Sequence, residues 1–259
     1  MKTYYKTSKI ISAPHLITTR TGGFSSFPYD SLNMGFNYGD NNDTVVKNWN
    51  LLFSENPNIN PKYLTLVKQV HKNKILNIKK GMFDNKPQFY LFGEYDGIIT
   101  RDTGITLVIL TADCASVLLH DKTKHVSAAL HCGWKSLTLD IIKSCIDDFM
   151  KFGCSLNNIN AFVGPCIKKC CFECNIDVAN AFENLLGYKD SKKCIDKNIN
   201  SDKYNIDLEM GVVLRLVQLG INIGNIETVS ECTKCRDKIY FSYRKNNNTG
   251  RMASIITNV

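Results

Sequence analysis

LTADCASVLLHD, residues 110–121, places an Asp–Cys pair, Asp113-Cys114, between two apolar runs. A buried strand rarely carries a charge and a thiol in mid-run, so this stretch raises the question of what the pair is for. Upstream, GITLVILTADC (104–114) is apolar and β-branched and reads as a buried strand ending at Cys114. Downstream, HVSAALHCGW (125–134) reads as its neighbour across a turn at Asp121–Lys124, with His131 near its end. A third run, YLTLVKQVH (63–71), reads as a strand ending in His71.

Working outward, a helix is expected around Val45, Val46, Trp49, Leu52 and Phe53, capped by Asp43 and ended by Pro57 and Pro61. A short strand covers 96–101, after Asp96-Gly97. A helix from Leu137 to Lys151 stops at Gly153. Then come a strand at 159–163 and a Gly-Pro turn. Helices follow at 176–186 and 207–219, the second stopped by Gly220, and strands at 226–231, 239–243 and 252–257. Strands and helices mix without strict alternation, which points to an α+β class with mixed sheets. No repeat or long linker interrupts residues 1–259, so a single domain is expected. Residues 17–43 are rich in Gly, Asn, Ser and Asp, as in loops that wander on the surface or wrap a ligand.

Composition narrows the function. No apolar run reaches the ~18 residues of a membrane-spanning helix. The start, MKTYYKTSKIISAPHLITT, lacks the compact apolar segment of a signal peptide. A cytoplasmic protein with no membrane partner is expected. The net charge is +8, but its lysines are scattered and often sit beside Asn, with no basic stripe interleaved with aromatics. Nucleic-acid binding is therefore not expected, whereas steering of an anionic substrate is. The eleven cysteines argue for reduced thiols and a metal site rather than a disulfide framework.

His71, Cys114 and His131 each stand at or near the end of an expected strand. Side-by-side strands would gather them into a three-ligand zinc site with a fourth position open to water or substrate. Spacing alone leaves open the reading in which each is an isolated core or surface residue.

TRTGGFS, SLNMGFNYGD, KQVH, YDGIIT, LTADCASVLLHD, ALHCGWKS, VGPCI with CCFEC, and FSYRKNNNTGRMASII follow one another along the chain. Together they resemble the laccase-domain or polyphenol oxidase family of the purine nucleoside phosphorylase type (YfiH-like), over nearly the whole length. The resemblance implies a layered α/β/β/α mixed-sheet fold related to a class of cysteine hydrolases. It implies zinc on His71 of QVH, Cys114 of ADC and His131 of HCGW. It also implies phosphorolysis of adenosine, inosine or guanosine to the base and ribose 1-phosphate, with adenosine deaminase and methylthioadenosine phosphorylase side activities. The expected partners are thus a purine nucleoside and phosphate, and the expected assembly is a monomer or small homo-oligomer. The chain departs from the family pattern at Ser116, where Pro is usual, and at Cys132, Lys135 and Ser136, where HAGWRG is usual.

The expected catalytic set is Cys114, His71, His131 and Asp113. Arg20, Arg244 and Arg251 are the expected phosphate anchors, helped by amides near Gly22-Gly23, and Asn33 and Asp40 are candidates for a ribose or purine edge. Deamination would need a carboxylate beside the metal. Asp113 qualifies only if the strand bends or ends there, since successive strand residues face opposite ways; Glu173 is the weaker candidate. Trp134, Phe172 and Tyr243 are either core residues or a base-stacking wall. His15, His120 and His125 read as surface residues.

Three rivals remain. Cys114 with His131 or His71 would make a Cys–His hydrolase, and the resemblance extends this to editing of peptidoglycan precursors. Two His and one Cys also match a copper set, but a multicopper oxidase needs more histidines than the five present. Finally, Cys171-x-x-Cys174 and Cys232-x-x-Cys235 would pair as a four-thiolate zinc site in a non-enzymatic protein.

Overall fold

Residues 104–121 do not form one strand. The computed structural model describes residues 5–59, 62–199 and 201–259, so the helix stop expected at Pro61 and the first four residues lie outside the described chain. In chain order the strands are β1 (Tyr5–Lys6), β2 (His15–Thr18), β3 (Leu64–Lys68), β4 (Ile75–Asn77), β5 (Leu91–Glu94), β6 (Gly97–Thr100), β7 (Thr106–Thr111) and β8 (Ala115–Asp121). They continue as β9 (Val126–Cys132), β10 (Ile159–Val163), β11 (Glu173–Cys174), β12 (Ile195–Lys197), β13 (Tyr204–Ile206), β14 (Ile226–Thr228) and β15 (Met252–Thr257). The α-helices are α1 (Asn42–Glu55), α2 (Trp134–Thr138), α3 (Ile141–Lys151), α4 (Ile176–Leu186), α5 (Tyr188–Ser191) and α6 (Leu208–Gln218).

The first sheet has the order β1-β2-β15-β7-β3-β5 and the second β14-β10-β8-β9-β6-β4. Residues 112–114 carry the chain from β7 in one sheet to β8 in the other. Cys114 therefore lies in a crossing between sheets rather than at a strand end. The period-2 alternation of the strands shows which face each residue covers. Leu107 and Ile109 of the first sheet meet Leu118 and Ala129 of the second in an inter-sheet core. Val108 and Ile255 face outward against Val45, Trp49 and Leu52 of α1. Val117, Leu119 and Ala128 face the other way, against Leu137, Ile142, Phe149, Phe182 and Val212 of the helices. The result is an α+β fold in four layers, α/β/β/α. Ser116, where the family pattern has Pro, sets its Oγ 2.6 Å from Ser254 Oγ of the facing sheet. A hydroxyl pair is thereby satisfied inside the core.

Several expected elements differ. Asn41 rather than Asp43 caps α1, its side chain accepting from the amides of Asp43 and Thr44; such a cap contributes about 1 kcal/mol. The helix expected over 137–151 is broken into α2 and α3 at Asp140, whose φ of 64° interrupts the helical hydrogen bonds. The Asp140 carboxylate caps Lys143 N and also receives Arg215, so an ion pair within the fold overrides local helix propensity. Residues 239–243 are turn and irregular backbone, not a strand; Tyr240 and Phe241 pack with Met252. The strand at 226–231 stops at Thr228. β4, β5 and the small sheet β11-β13-β12 are too short and polar to show a period in the sequence. His120 is buried, with Nδ1 3.0 Å from Ser127 Oγ. His15 is half-buried, its Nδ1 donating to Ala13 O and its Nε2 accepting from Ser8 N. His125 is exposed, as expected. Among the described residues, no helix is long and apolar enough to cross a membrane.

Candidate metal centre and cavity

Three elements converge at the sheet crossing. His71 follows β3 and adopts a φ of 58°, Asp113 in the crossing has a φ of 96°, and His131 sits on β9. Non-glycine residues in this region are uncommon and cluster where a fold over-determines the backbone, often at functional sites.

The ligand atoms of His71, Cys114 and His131 all lie within 4.8 Å of one another. Cys114 Sγ is 3.7 Å from His71 Nε2, and the two imidazoles meet edge to face with centroids 4.6 Å apart. With Zn–S of about 2.3 Å and Zn–N of about 2.0 Å, tetrahedral ligands stand roughly 3.3–3.8 Å apart. The cluster fits that ion with small side-chain adjustment, and three protein ligands leave a fourth position open.

Asp96, just before β6, organises the cluster. Its Oδ1 receives His131 Nδ1 at 2.8 Å and His71 N at 2.9 Å, while its Oδ2 receives Val70 N and Lys72 N. One buried carboxylate thus fixes the His131 ring, leaves its Nε2 for the centre, and shapes the loop that carries His71. Burial alone would raise the Asp96 pKa, but His131 and the loop amides outweigh it and hold it low. Burial would likewise raise the Cys114 pKa, yet His131 and His71 bring it down to about 6. His131, opposed by burial, is raised to about 9 by Cys114 and Asp96. In the metal-free centre the two groups thus favour each other's charged forms, a thiolate on Cys114 and a protonated ring on His131.

Gly133 is required by close approach. A Cβ there would lie 2.7 Å from His71 Cδ2 and 3.0 Å from Cys114 Sγ. Cys132, one residue earlier, is fully buried and its thiol is pushed up by burial.

The cluster borders a cavity of about 470 Å³ that Arg244, Arg251, Phe172, Tyr243 and Tyr38 also line. Arg244 Nη1 donates to Glu173 O at 2.9 Å, and its guanidinium lies 5.5 Å from the Phe172 ring centroid. Arg251 Nη1 donates to Thr249 O and its guanidinium stacks 4.0 Å from Tyr38. Among the described residues, neither guanidinium is paired with a carboxylate, so both positive charges are available to an anion.

Other expected residues sit elsewhere. Arg20 is outside this cavity: it pairs with Asp30, donates to Asp237 O and lies over Phe241. Asn33 is buried and acts at one remove, its Oδ1 accepting from Gly35 N and Arg251 N. Asp40 is engaged by Ser25 and Asn33. Asp113 borders the cavity, but its oxygens accept from Thr233 Oγ1 and from Arg244 N, each at 2.6 Å. Glu173 is exposed, and Trp134 and Lys135 do not line the cavity. Asp96, Gln69, Tyr38 and Gly133 escape a reading based on residue type, although YDGIIT, KQVH, SLNMGFNYGD and HCGW contain them in that order.

The class defined is an α+β protein of two stacked six-stranded sheets and a small third sheet, with a His–Cys–His cluster that could hold a metal beside a cationic, aromatic cavity. The family model for multi-copper polyphenol oxidoreductase laccase matches residues 14–258, and the chain belongs to that family. Purine nucleoside phosphorylase YfiH of Escherichia coli K12 is 32% identical over 239 residues, covering 92% of this chain and 91% of its own. Purine nucleoside phosphorylase of Bacteroides thetaiotaomicron is 31% identical over 246 residues, covering 93% and 90%. Among solved structures, YfiH of Bacillus licheniformis superposes with a TM-score of 0.87 at 28% identity, over 95% of this chain and 92% of that one. YlmD of Geobacillus stearothermophilus gives 0.90 over 99% of both chains at 24% identity, a likeness of fold.

Proposed function

We propose that the chain is a zinc-dependent purine nucleoside phosphorylase, taking adenosine, inosine or guanosine with phosphate to the free base and ribose 1-phosphate. One observation carries this reading: two guanidinium groups without carboxylate partners, Arg244 and Arg251, share a cavity with aromatic faces and the His71–Cys114–His131 cluster. The names of the curated relatives point the same way.

Arg244 and Arg251 hold the phosphate dianion by charge-assisted hydrogen bonds. Phe172 and Tyr243 offer aromatic faces to the purine. A phosphate oxygen attacks C1′ as the bond to the base breaks, through an oxocarbenium-like transition state, and the bonding pair leaves with the base. Zinc on His71, Cys114 and His131 supplies a Lewis-acidic charge when bound. Asp113 positions Arg244 through its backbone, its two oxygens turned to Arg244 N and Thr233 Oγ1. This weighs against adenosine deamination as the main reaction and leaves methylthioadenosine phosphorolysis as the compatible side activity. The same proposal takes residues 1–259 as one cytoplasmic domain, a monomer or small homo-oligomer.

A Cys–His hydrolase is the second reading, favoured by the thiolate–imidazolium pair of the metal-free centre. The test is incubation of purified protein with adenosine, with and without phosphate, followed by product analysis. Phosphate-dependent adenine and ribose 1-phosphate support phosphorolysis. Inosine alone supports deamination, and no turnover of any purine nucleoside with zinc bound overturns the proposal.

A further inference from the structure

Four cysteines outside the cavity form a second cluster. Cys170, Cys171, Cys232 and Cys235 place their sulfurs within 4.8 Å of one another, and all four are free thiols. Cys170 Sγ and Cys171 Sγ lie 3.5 and 3.4 Å from Cys235 Sγ. Cys174, which the C-x-x-C spacing pairs with Cys171, is instead turned away and donates to Tyr204 O. We propose that Cys170, Cys171, Cys232 and Cys235 bind a structural zinc ion that clips the loop carrying the cavity residues Ile167 and Phe172 to the turn at Cys232–Cys235.

The geometry matches. Four thiolates around zinc at about 2.3 Å stand roughly 3.8 Å apart at tetrahedral angles. The backbone that presents them is already held. Cys166 and Cys232 form a parallel bridge, Thr233 N donates to Cys166 O, and Arg236 N donates to Cys232 O. In the other loop, Cys171 N and Phe172 N both donate to Lys168 O. The bland alternative, cysteine as a small buried hydrophobe, fails for Cys170 and Cys235, which are exposed. Lys234 and Arg236 flank Cys235 in sequence and offset the charge of a four-thiolate site.

The clip reaches the cavity through the residues next to its cysteines. Thr233, between the two cysteines of the second pair, donates to Asp113 Oδ1 beside Cys114. Phe172, directly after Cys171, lines the cavity. The ion would hold both in register.

The proposal is independent of the phosphorylase reading, and its test uses metal content rather than turnover. The full chain is purified under reducing conditions as the Cys114→Ala variant, which removes the His–Cys–His thiolate, and zinc is measured by mass spectrometry. About one zinc per chain is expected to remain and to be lost on adding Cys170→Ser and Cys235→Ser. Zinc content that does not fall with those serine substitutions overturns the proposal. Should the serine variant fail to fold, cobalt titration of Cys114→Ala alone decides. Intense sulfur-to-cobalt charge-transfer absorption with a tetrahedral d–d envelope supports the clip, and weak octahedral absorption overturns it.

Discussion

Asp96 Oδ1 lies 2.8 Å from His131 Nδ1, and the peptide N–H of His131 donates to the Asp96 carbonyl at 2.7 Å. One residue thus fixes another through both side chain and backbone, and its carboxylate simultaneously gathers the amides of the His71 loop. Asp96→Asn keeps the shape but loses the charge and one acceptor. Metal affinity is expected to fall by about 10–100-fold, read by competition with a chromophoric chelator. Because the Asp96 carboxyl is held below its ordinary value, its stabilising contribution is complete above about pH 4 and is lost as pH falls below that. The melting-temperature gap between wild type and variant should therefore narrow in acid. A gap that widens in acid would show that the carboxylate does not stabilise the fold.

Gly133→Ala is backbone-compatible, since Gly133 has a φ of −66°. Its methyl group would press on His71 and Cys114. Zinc binding at the cluster should weaken by at least ~10-fold while stability changes by less than about 1 kcal/mol, because His71 is exposed and can swing away. Unchanged zinc affinity would mean that His71 is not a ligand.

Arginine substitutions separate the anchors. Arg244→Ala and Arg251→Ala should raise the KM for phosphate by roughly 10-fold or more, since charge-assisted hydrogen bonds are worth about 1.5–3 kcal/mol. Arg20→Ala should lower thermal stability and leave that KM alone, because its partners are Asp30, Asp237 and Phe241. A phosphate effect confined to Arg20 would move the anion site.

In metal-free protein, alkylation of Cys114 should rise as pH passes about 6, because the histidines stabilise its thiolate. Cys132 next to the cluster, buried with its thiol pushed up, should stay unmodified. Peptide mapping after iodoacetamide treatment at graded pH reads both. Half-maximal reaction of Cys114 near about 8.5, the ordinary thiol value, would show that the pair is not formed.

Cys114→Ala should abolish nucleoside turnover and remove one zinc ligand with little effect on folding, since the thiol sits in the sheet crossing and not in the packed core. Retained turnover would dissociate the cluster from catalysis.

Local pattern determined a good deal by itself. The β-branched runs of β7, β8 and β9 and the apolar spacing of α4 and α6 are set by near neighbours in the chain, and His71, Cys114 and His131 stand out there by residue type and motif. The α+β class follows from the order of those elements. Tertiary structure alone decided the rest. The apolar run through residue 114 looks continuous because both halves are buried, yet it serves two sheets, and only inter-sheet packing sets the break at 112–114. Asp96 reads as a turn residue beside Gly97 until pairing of β6 with β9 brings it to His131. Arg20 and Arg251 stand in similar glycine-containing contexts, but one is anchored against Phe241 and the other faces the cavity. Cys170 replaces Cys174 in the thiol cluster because the strand hydrogen bonding of β11 turns Cys174 toward Tyr204. Each of these outcomes depends on partners distant in sequence, and local spacing carries no information about them.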